Sequence, residues 1–310
     1  MQSSTAVPSR TIPREQTLRL RRNLRLGFTY VVMILLAFVF IFPIVFMFVS
    51  SFKPNNQIFL DLRSFNAFLP TTFTLENYQG VFQRTDFGLF MFNSVFITTI
   101  TVAVGLVVNS MAAYALARLD WRGRKTMLTL VIALLIIPFE TIAIPLLFVV
   151  IGLPWPNVDL SAGVIGLGHS WLNTLHVQMI PFMADAFSIF LFYQFFLDLP
   201  KDLDEAALVD GASRFRIYWT ILVPISRPIF ATVAILQFLT RWGDYLWPVI
   251  VVQGEQARPL TVGMATFFGQ TPDWGQIMAY ASMITLPVLI VFLLFQKWFI
   301  QSVATSGLKG

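Results

Sequence analysis

Apolar residues along this chain come in long, nearly unbroken runs, without the alternation of a half-buried strand. Six runs occupy about residues 26–49, 90–116, 127–151, 182–198, 229–252 and 277–299. Each falls in or above the range of roughly 17–25 residues that a helix needs to cross the ~30 Å hydrocarbon core of a bilayer. In lipid every backbone polar group must be satisfied within the protein, so such runs predict helices, and they are too continuous for barrel strands. The pattern therefore predicts an all-α membrane protein with six transmembrane helices. Residues 1–25, rich in Ser, Thr and Arg, read as an N-terminal tail, 26–300 as the membrane domain, and 301–310 as a C-terminal tail. The first run is too long for a signal peptide, and Ser50-Ser51-Phe52-Lys53-Pro54 follows it in place of a small-residue cleavage site. Pro43, Pro138, Pro145, Pro248 and Pro287 fall in or near the runs, where a ring can kink a helix.

Composition agrees: 56% of residues are hydrophobic and 12% charged, against about 45–50% and 25% in soluble domains. The absence of cysteine rules out disulfides, thiol nucleophiles and thiolate-held clusters. A net charge of +5 would point to nucleic acid in a soluble protein, but here its placement has a membrane explanation. Of the 21 Lys and Arg residues, sixteen flank one side of the runs, four (Lys53, Arg63, Arg84, Arg258) flank the other, and Arg241 lies inside the fifth. Basic loops stay in the cytoplasm, so both termini and the segment 199–228 are expected there. No nucleic-acid partner is expected. The outer loops fall at about 50–89, 152–181 and 253–276, and the first two, long and rich in Pro, Asn, Trp and Phe, are expected to form short interfacial helices and docking surface.

The segment 199–228 is a charged island in an apolar chain. Asp202 with Glu205 three residues on resembles a capping box. Leu203, Ala206, Ala207 and Asp210 fall on one face of the short helix that would follow. Gly211 sits where a left-handed terminator is needed, and Ser213 can cap a second helix ending near Pro224. These residues alone leave open whether the island is an ordinary amphipathic loop or a docking element.

Further matches narrow that choice. Glu205-Ala206-Ala207-x-x-Asp210-Gly211-Ala212, followed by Ile221-x-x-Pro224-x-x-x-Pro228, resembles the signature loop of type I ABC-importer permeases without insertion or gap. Ser51-Phe52-Lys53-Pro54, Phe92-Asn93-Ser94, Ala112-Ala113-Tyr114-Ala115-Leu116-Ala117-Arg118, Gly123-Arg124-Lys125 and the tail Gln296-Lys297-Trp298-Phe299 with Ser306-Gly307-Leu308-Lys309-Gly310 resemble the carbohydrate-uptake branch. They are similar to the second permease of maltose and glycerol-phosphate type systems, over about residues 26–310. The resemblance implies a six-helix permease with a cytoplasmic coupling helix, in the cell membrane. It also implies a heterodimer with a homologous permease, a dimeric ABC ATPase that binds ATP and Mg, and an extracytoplasmic solute-binding protein. The solute would be a sugar or a related polyol or oligosaccharide. In that family the matching glutamate, here Glu205, meets a basic residue of the ATPase. Ala206 and Ala207 would form the close-packed face and Gly211 the turn, with Asp210 and Pro224 also in the ATPase-coupling loop and Ser306, Gly307 and Lys309 as a second contact. No cofactor is expected in this chain, because a phosphate-binding loop requires Gly-x-x-x-x-Gly-Lys-[Ser/Thr] and none of its lysines follows a glycine. The fifth run departs from the family at Gly243, where asparagine is usual, and the fourth at Asp185, where a small residue is usual.

Ionisable residues inside membrane spans are costly and point to function. Four qualify: Glu140, Asp185, Arg241 and Asp244. Arg241 and Asp244, three apart, can neutralise one another as a structural pair, or they can form a gate with Trp242 and Tyr245. Asn93, Asp185, Arg241, Trp242, Asp244 and Tyr245 are the candidates for the solute path. His169 and His176 lack companion ligands, so no metal is expected. A secondary, ion-coupled transporter is the alternative function, but it calls for inverted repeats and a carboxylate relay, and neither is visible. No catalytic constellation appears, so the chain is not expected to be an enzyme.

Overall fold

The computed structural model describes residues 14–69, 72–159, 164–168, 170–269 and 271–307. Nearly all of it is helical. Four helices are long and apolar enough to cross a membrane, and six elements qualify if each of two sharply bent helix pairs counts as one span. Large apolar side chains such as Phe28, Ile34, Phe40, Phe148 and Leu294 are exposed over the surface, as expected where lipid or another subunit replaces water.

Helix α1, Arg14–Ser50, begins earlier than the apolar run predicts. Residues 14–25, expected as part of the tail, are helical, in keeping with their Arg, Glu, Gln and Leu content, all good helix formers. Residues 1–13 of the expected tail lie outside the described residues. Only the end of α1 is covered by the rest of the chain. There the Ser51-Phe52-Lys53-Pro54 segment turns back. Lys53 is fully buried, paired with Asp61 at 3.0 Å and bonded to the Asn66 carbonyl. Asn77 donates to the carbonyls of Ser51 and Lys53 at 2.8 and 2.7 Å. The outer loop that follows carries short helices Asn55–Leu60 and Glu76–Arg84.

Helix α2, Phe87–Arg118, starts at Asp86, whose carboxylate accepts from Leu89 N at 3.3 Å. It is the central post of the fold, packing most extensively on α5 (Ala186–Asp198) and on α8 (Arg227–Trp242). The expected third span is broken. Helix α3 (Arg124–Leu134) and helix α4 (Phe139–Gly152) meet at 109°. Pro138 explains the break: it caps α4 in extended conformation and disfavours helix in the residue before it. The loop after α4 also departs from expectation. Before the expected short helices, which occur at His176–Met179 and Ile180–Phe182, it forms an antiparallel hairpin, β1 (Trp155–Asp159) with β2 (Val164–Gly168), Trp155 opposite Gly168. Val158, Val164 and Ile165 suit a pleated strand better than a helix.

After α5 come the island helices α6 (Asp202–Val209) and α7 (Arg214–Ile217), then a wide π-turn over Tyr218–Leu222. Pro224 lacks the N–H a regular turn would use, and a widened turn accommodates its ring. An 80° bend then leads into α8. The expected fifth span is shorter than its apolar run, because α8 stops at Trp242 and α9 (Leu246–Val251) follows. The last helix, α10, spans Trp274–Gly307. One core joins α2, α5, α8 and the island through Tyr114, Phe192, Phe196, Ala207, Tyr218 and Val233. A second joins the N-terminal end of α2 to α8 and α10 through Phe90, Trp242 and Tyr280.

Candidate functional site

The island forms two short helices, and each end has a physical cause. The C-terminus of α6 closes in a Schellman motif: Ala212 N–H donates to the Ala207 carbonyl at 2.9 Å and Gly211 N–H to that of Leu208 at 3.0 Å. Gly211 has φ +80°, the left-handed conformation its position predicts. Ser213 caps α7 as expected, accepting from Arg216 N at 3.2 Å. The capping box at Asp202 is not formed. The residue before α6 is Lys201, itself in helical conformation and without a side-chain cap. Asp202 thus already lies within the helix, and a cap needs extended backbone. Asp202, Asp204 and Glu205 instead place negative charge in the first turn, where the helix dipole favours it.

The two alanines divide between faces. Ala207 is buried in the core under the island, whereas Ala206 is exposed with Glu205 and Asp210. Val209 is 87% exposed, and Phe215 and Trp219 are exposed beside it. Only Ala206 of the expected alanine face therefore points outward. Pro224 lies in the turn that ends the loop. Ser306 and Gly307 fall in the last turn of α10, and Lys309 is outside the described residues.

Sequence reasoning missed what holds the island. Arg118 at the end of α2 pairs with Asp204 of α6 at 3.4 Å, the side chains being 2% and 8% exposed. Arg118 also donates to the Leu199 carbonyl at 2.7 Å, and Tyr114, one turn earlier, donates to that of Arg214 at 3.2 Å. The spacing of Tyr114 and Arg118 on one face of α2 was the available signal.

The membrane-embedded candidates separate into two groups. Asp185 and Arg241 line one cavity of about 320 Å³ with Phe182, Phe187, Ser188, Gln237 and Thr240. Asp185 is not inside a regular helix but caps α5, accepting from Ser188 N at 2.8 Å and Ser188 Oγ at 2.6 Å. Its own N–H donates to Asn109 Oδ1 at 2.8 Å, and Gln237 donates to Ser188 Oγ at 3.0 Å. Gly105 permits this closeness, since a Cβ there would lie 2.7 Å from Gln237 Oε1. Arg241 pairs with Asp244 at 3.2 Å and lies 4.1 Å over the ring of Phe182. Asp244 sits in the break between α8 and α9, not within a span.

The others sit elsewhere. Trp242 is buried in the second core, donating to the Ile284 carbonyl at 3.2 Å. Asn93 is 1% exposed and ties α2 to the outer loop through the carbonyls of Gln256 and Arg258 at 2.9 and 3.0 Å. Tyr245 is half exposed in the break, and Glu140 is exposed in the first turn of α4. His176 packs edge-on against Trp171, His169 lies outside the described residues, and no group of metal ligands occurs among the described residues.

A multi-pass helical membrane protein with a cavity bearing Asp185 and Arg241 between two of its helices, and a firmly anchored polar island, is built as a permease subunit. The chain belongs to the family described as binding-protein-dependent transport system inner membrane component, whose model matches residues 105–305. It is 32% identical over 293 residues to the arabinooligosaccharides transport system permease protein AraQ of Halalkalibacterium halodurans, covering 93% of this chain and 96% of that one. It is 32% identical over 288 residues to the lactose transport system permease protein LacG of Rhizobium radiobacter, covering 93% and 98%. The fold matches a chain in the crystal structure of a bacterial ABC transporter involved in the import of the acidic polysaccharide alginate. The TM-score is 0.70 at 21% identity, over 95% of this chain and 100% of that chain. At that identity the likeness is one of fold.

Proposed function

We propose that this chain forms half of the translocation pathway of an ATP-driven importer for a sugar or oligosaccharide. It pairs with a homologous permease and couples to a separate dimeric ATPase, and an extracytoplasmic binding protein delivers the solute. The two bent pairs each serve as one membrane element, which makes six, and both termini lie in the cytoplasm. The chain itself hydrolyses nothing; ATP and Mg belong to the partner. The relatives' transport of arabino-oligosaccharides and lactose supports the carbohydrate assignment.

The observation that carries the coupling role is the two-faced island helix. Its inner face, Asp204 and Ala207, is fixed to the chain's own core, while Glu205, Ala206 and Val209 stand exposed. A rigidly mounted helix with an acidic, small-residue and apolar outer face suits the cleft of a basic partner. The test is to reconstitute the full complex in proteoliposomes with Glu205→Lys. Binding-protein-stimulated ATPase activity and uptake should both fall at least tenfold, while the chain still inserts and assembles. Uptake at the wild-type rate would overturn the role given to Glu205.

A further inference from the structure

The cavity between α5 and α8 sets Asp185 and Arg241 into a largely apolar wall that includes Phe182, Ala184, Phe187 and Leu236. We infer that it is a solute subsite selective for neutral sugars over anionic ones, a reading that rests on the permease assignment.

Its walls carry complementary hydrogen-bonding groups. Asp185 offers carboxylate oxygen and Arg241 offers N–H, Thr240 presents a hydroxyl oxygen whose proton lies on the Leu236 carbonyl, and Ser188 and Gln237, both buried, hold Asp185 from behind. Phe187, 49% exposed, presents an aromatic ring to the same space. The ring of Phe182 already lies under Arg241, so Phe187 is the ring left for a sugar face. The volume of about 320 Å³ falls at the small end of ligand sites, roughly 300–1,000 Å³. Sugar hydroxyls, each a donor and an acceptor, match this wall.

Charge then decides among sugars. Arg241 is the cationic lining residue, and its guanidinium is held by Asp244 at 3.2 Å. Asp185, hydrogen-bonded to Ser188, is the acid on the wall, and Asp244 lies behind Arg241, outside the lining. Two carboxylates against one guanidinium leave the site net negative. A uronate or phosphodiester entering it meets Asp185 with no uncommitted cation on the wall, in surroundings where screening is weak. The fold neighbour's acidic polysaccharide is thus the kind of solute that this wall opposes.

The absence of cysteine from the chain makes a direct test available. Thr240 is exposed to the cavity, so Thr240→Cys places a single thiol of this chain on its wall. The complete complex, in nanodiscs, is treated with a cationic and an anionic methanethiosulfonate reagent, and labelling of this chain is followed by mass. The cationic reagent should react on the order of a hundredfold faster after correction for intrinsic reactivity, because one net charge roughly 10 Å away at an effective dielectric near 20 shifts the two reagents about tenfold each, in opposite directions. Adding Asp185→Asn, which keeps the helix cap, should bring the ratio close to one. Maltopentaose should slow labelling several-fold, and an alginate pentasaccharide at equal concentration should not. A ratio indifferent to Asp185→Asn, equal protection by both pentasaccharides, or protection by neither would overturn the subsite. Uptake by the wild-type complex is measured in parallel. If it is ATP-dependent while protection is absent, the subsite alone fails; if there is no such uptake, the permease reading fails and the subsite with it.

Discussion

Replacing Asp204 by alanine leaves the Arg118 guanidinium buried at the foot of α2 without its carboxylate. The two charges lie 3.4 Å apart and are almost wholly shielded from water. At an effective dielectric near 20 their attraction amounts to about 5 kcal/mol, but most of that offsets the cost of taking both ions out of water. Arg118 Nε and Asp204 Oδ1 make no other hydrogen bond, so the net contribution of the pair is small. Removing one partner is a different matter: an uncompensated buried charge costs about 3–5 kcal/mol, whereas an apolar pair of similar volume is often neutral. Asp204→Ala and Arg118→Met should therefore each destabilise the chain by a few kcal/mol, while Arg118→Met with Asp204→Leu should recover most of the loss. The assay is a double-mutant cycle read by unfolding in mixed micelles, with ATPase stimulation measured on the same preparations. A coupling energy below about 1 kcal/mol would refute the claim that this pair mounts α6 on α2, as would a double variant no better than the worse single.

Two further outcomes follow from local geometry. Gly211→Val forces a β-branched residue to φ +80°, at a cost of about 1–2 kcal/mol or more. It should open the Schellman turn and lower transport-coupled ATPase activity, whereas Gly211→Asn should be milder; equal effects of the two would refute the backbone explanation. Asn93→Leu removes both hydrogen bonds that hold the outer loop. It should lower thermal stability by about 1–3 kcal/mol without altering protection of a Thr240→Cys thiol by maltopentaose, and a change in that protection would return Asn93 to the solute path.

The sequence made some features legible and hid others for identifiable reasons. Long apolar runs announce helices because lipid allows little else, and Gly211 and Ser213 announce helix ends because their conformational and capping roles are local. Breaks inside the spans were harder. Pro138 was visible as a possible kink, but a ring alone does not distinguish a gentle bend from the 109° turn between α3 and α4. Gly243–Tyr245 reads as part of an apolar run, so Asp244 looked intramembrane and regular when it sits in a chain break. Asp185 looked like a bare acid in a span and proves to be a helix cap that also lines a cavity. Asn93 and Trp242 stood out as polar or aromatic residues in spans, yet their partners lie about 40 to 165 positions away, and no local pattern carries that information. The pairing of Arg118 with Asp204 was hidden for the same reason, since each looked like an ordinary flanking charge.

What joins the island to the cavity is α2. Its C-terminal end carries Tyr114 and Arg118 onto α6 and α7. Its middle carries Asn109, bonded to Asp185 N and to the Met183 carbonyl, and Gly105, against Gln237. The nine positions from Arg118 to Asn109 cover only about 14 Å of helix, with no proline in Phe87–Arg118 to absorb a displacement. The exposed helix α6 is thus connected to two cavity-lining residues, Asp185 and Gln237, through one unbroken helix and the bonds at its two levels. The Arg118–Asp204 pair matters more as the joint between these parts than as a source of stability. A joint of charge and hydrogen bonds has directional geometry, which a purely apolar contact of equal stability lacks.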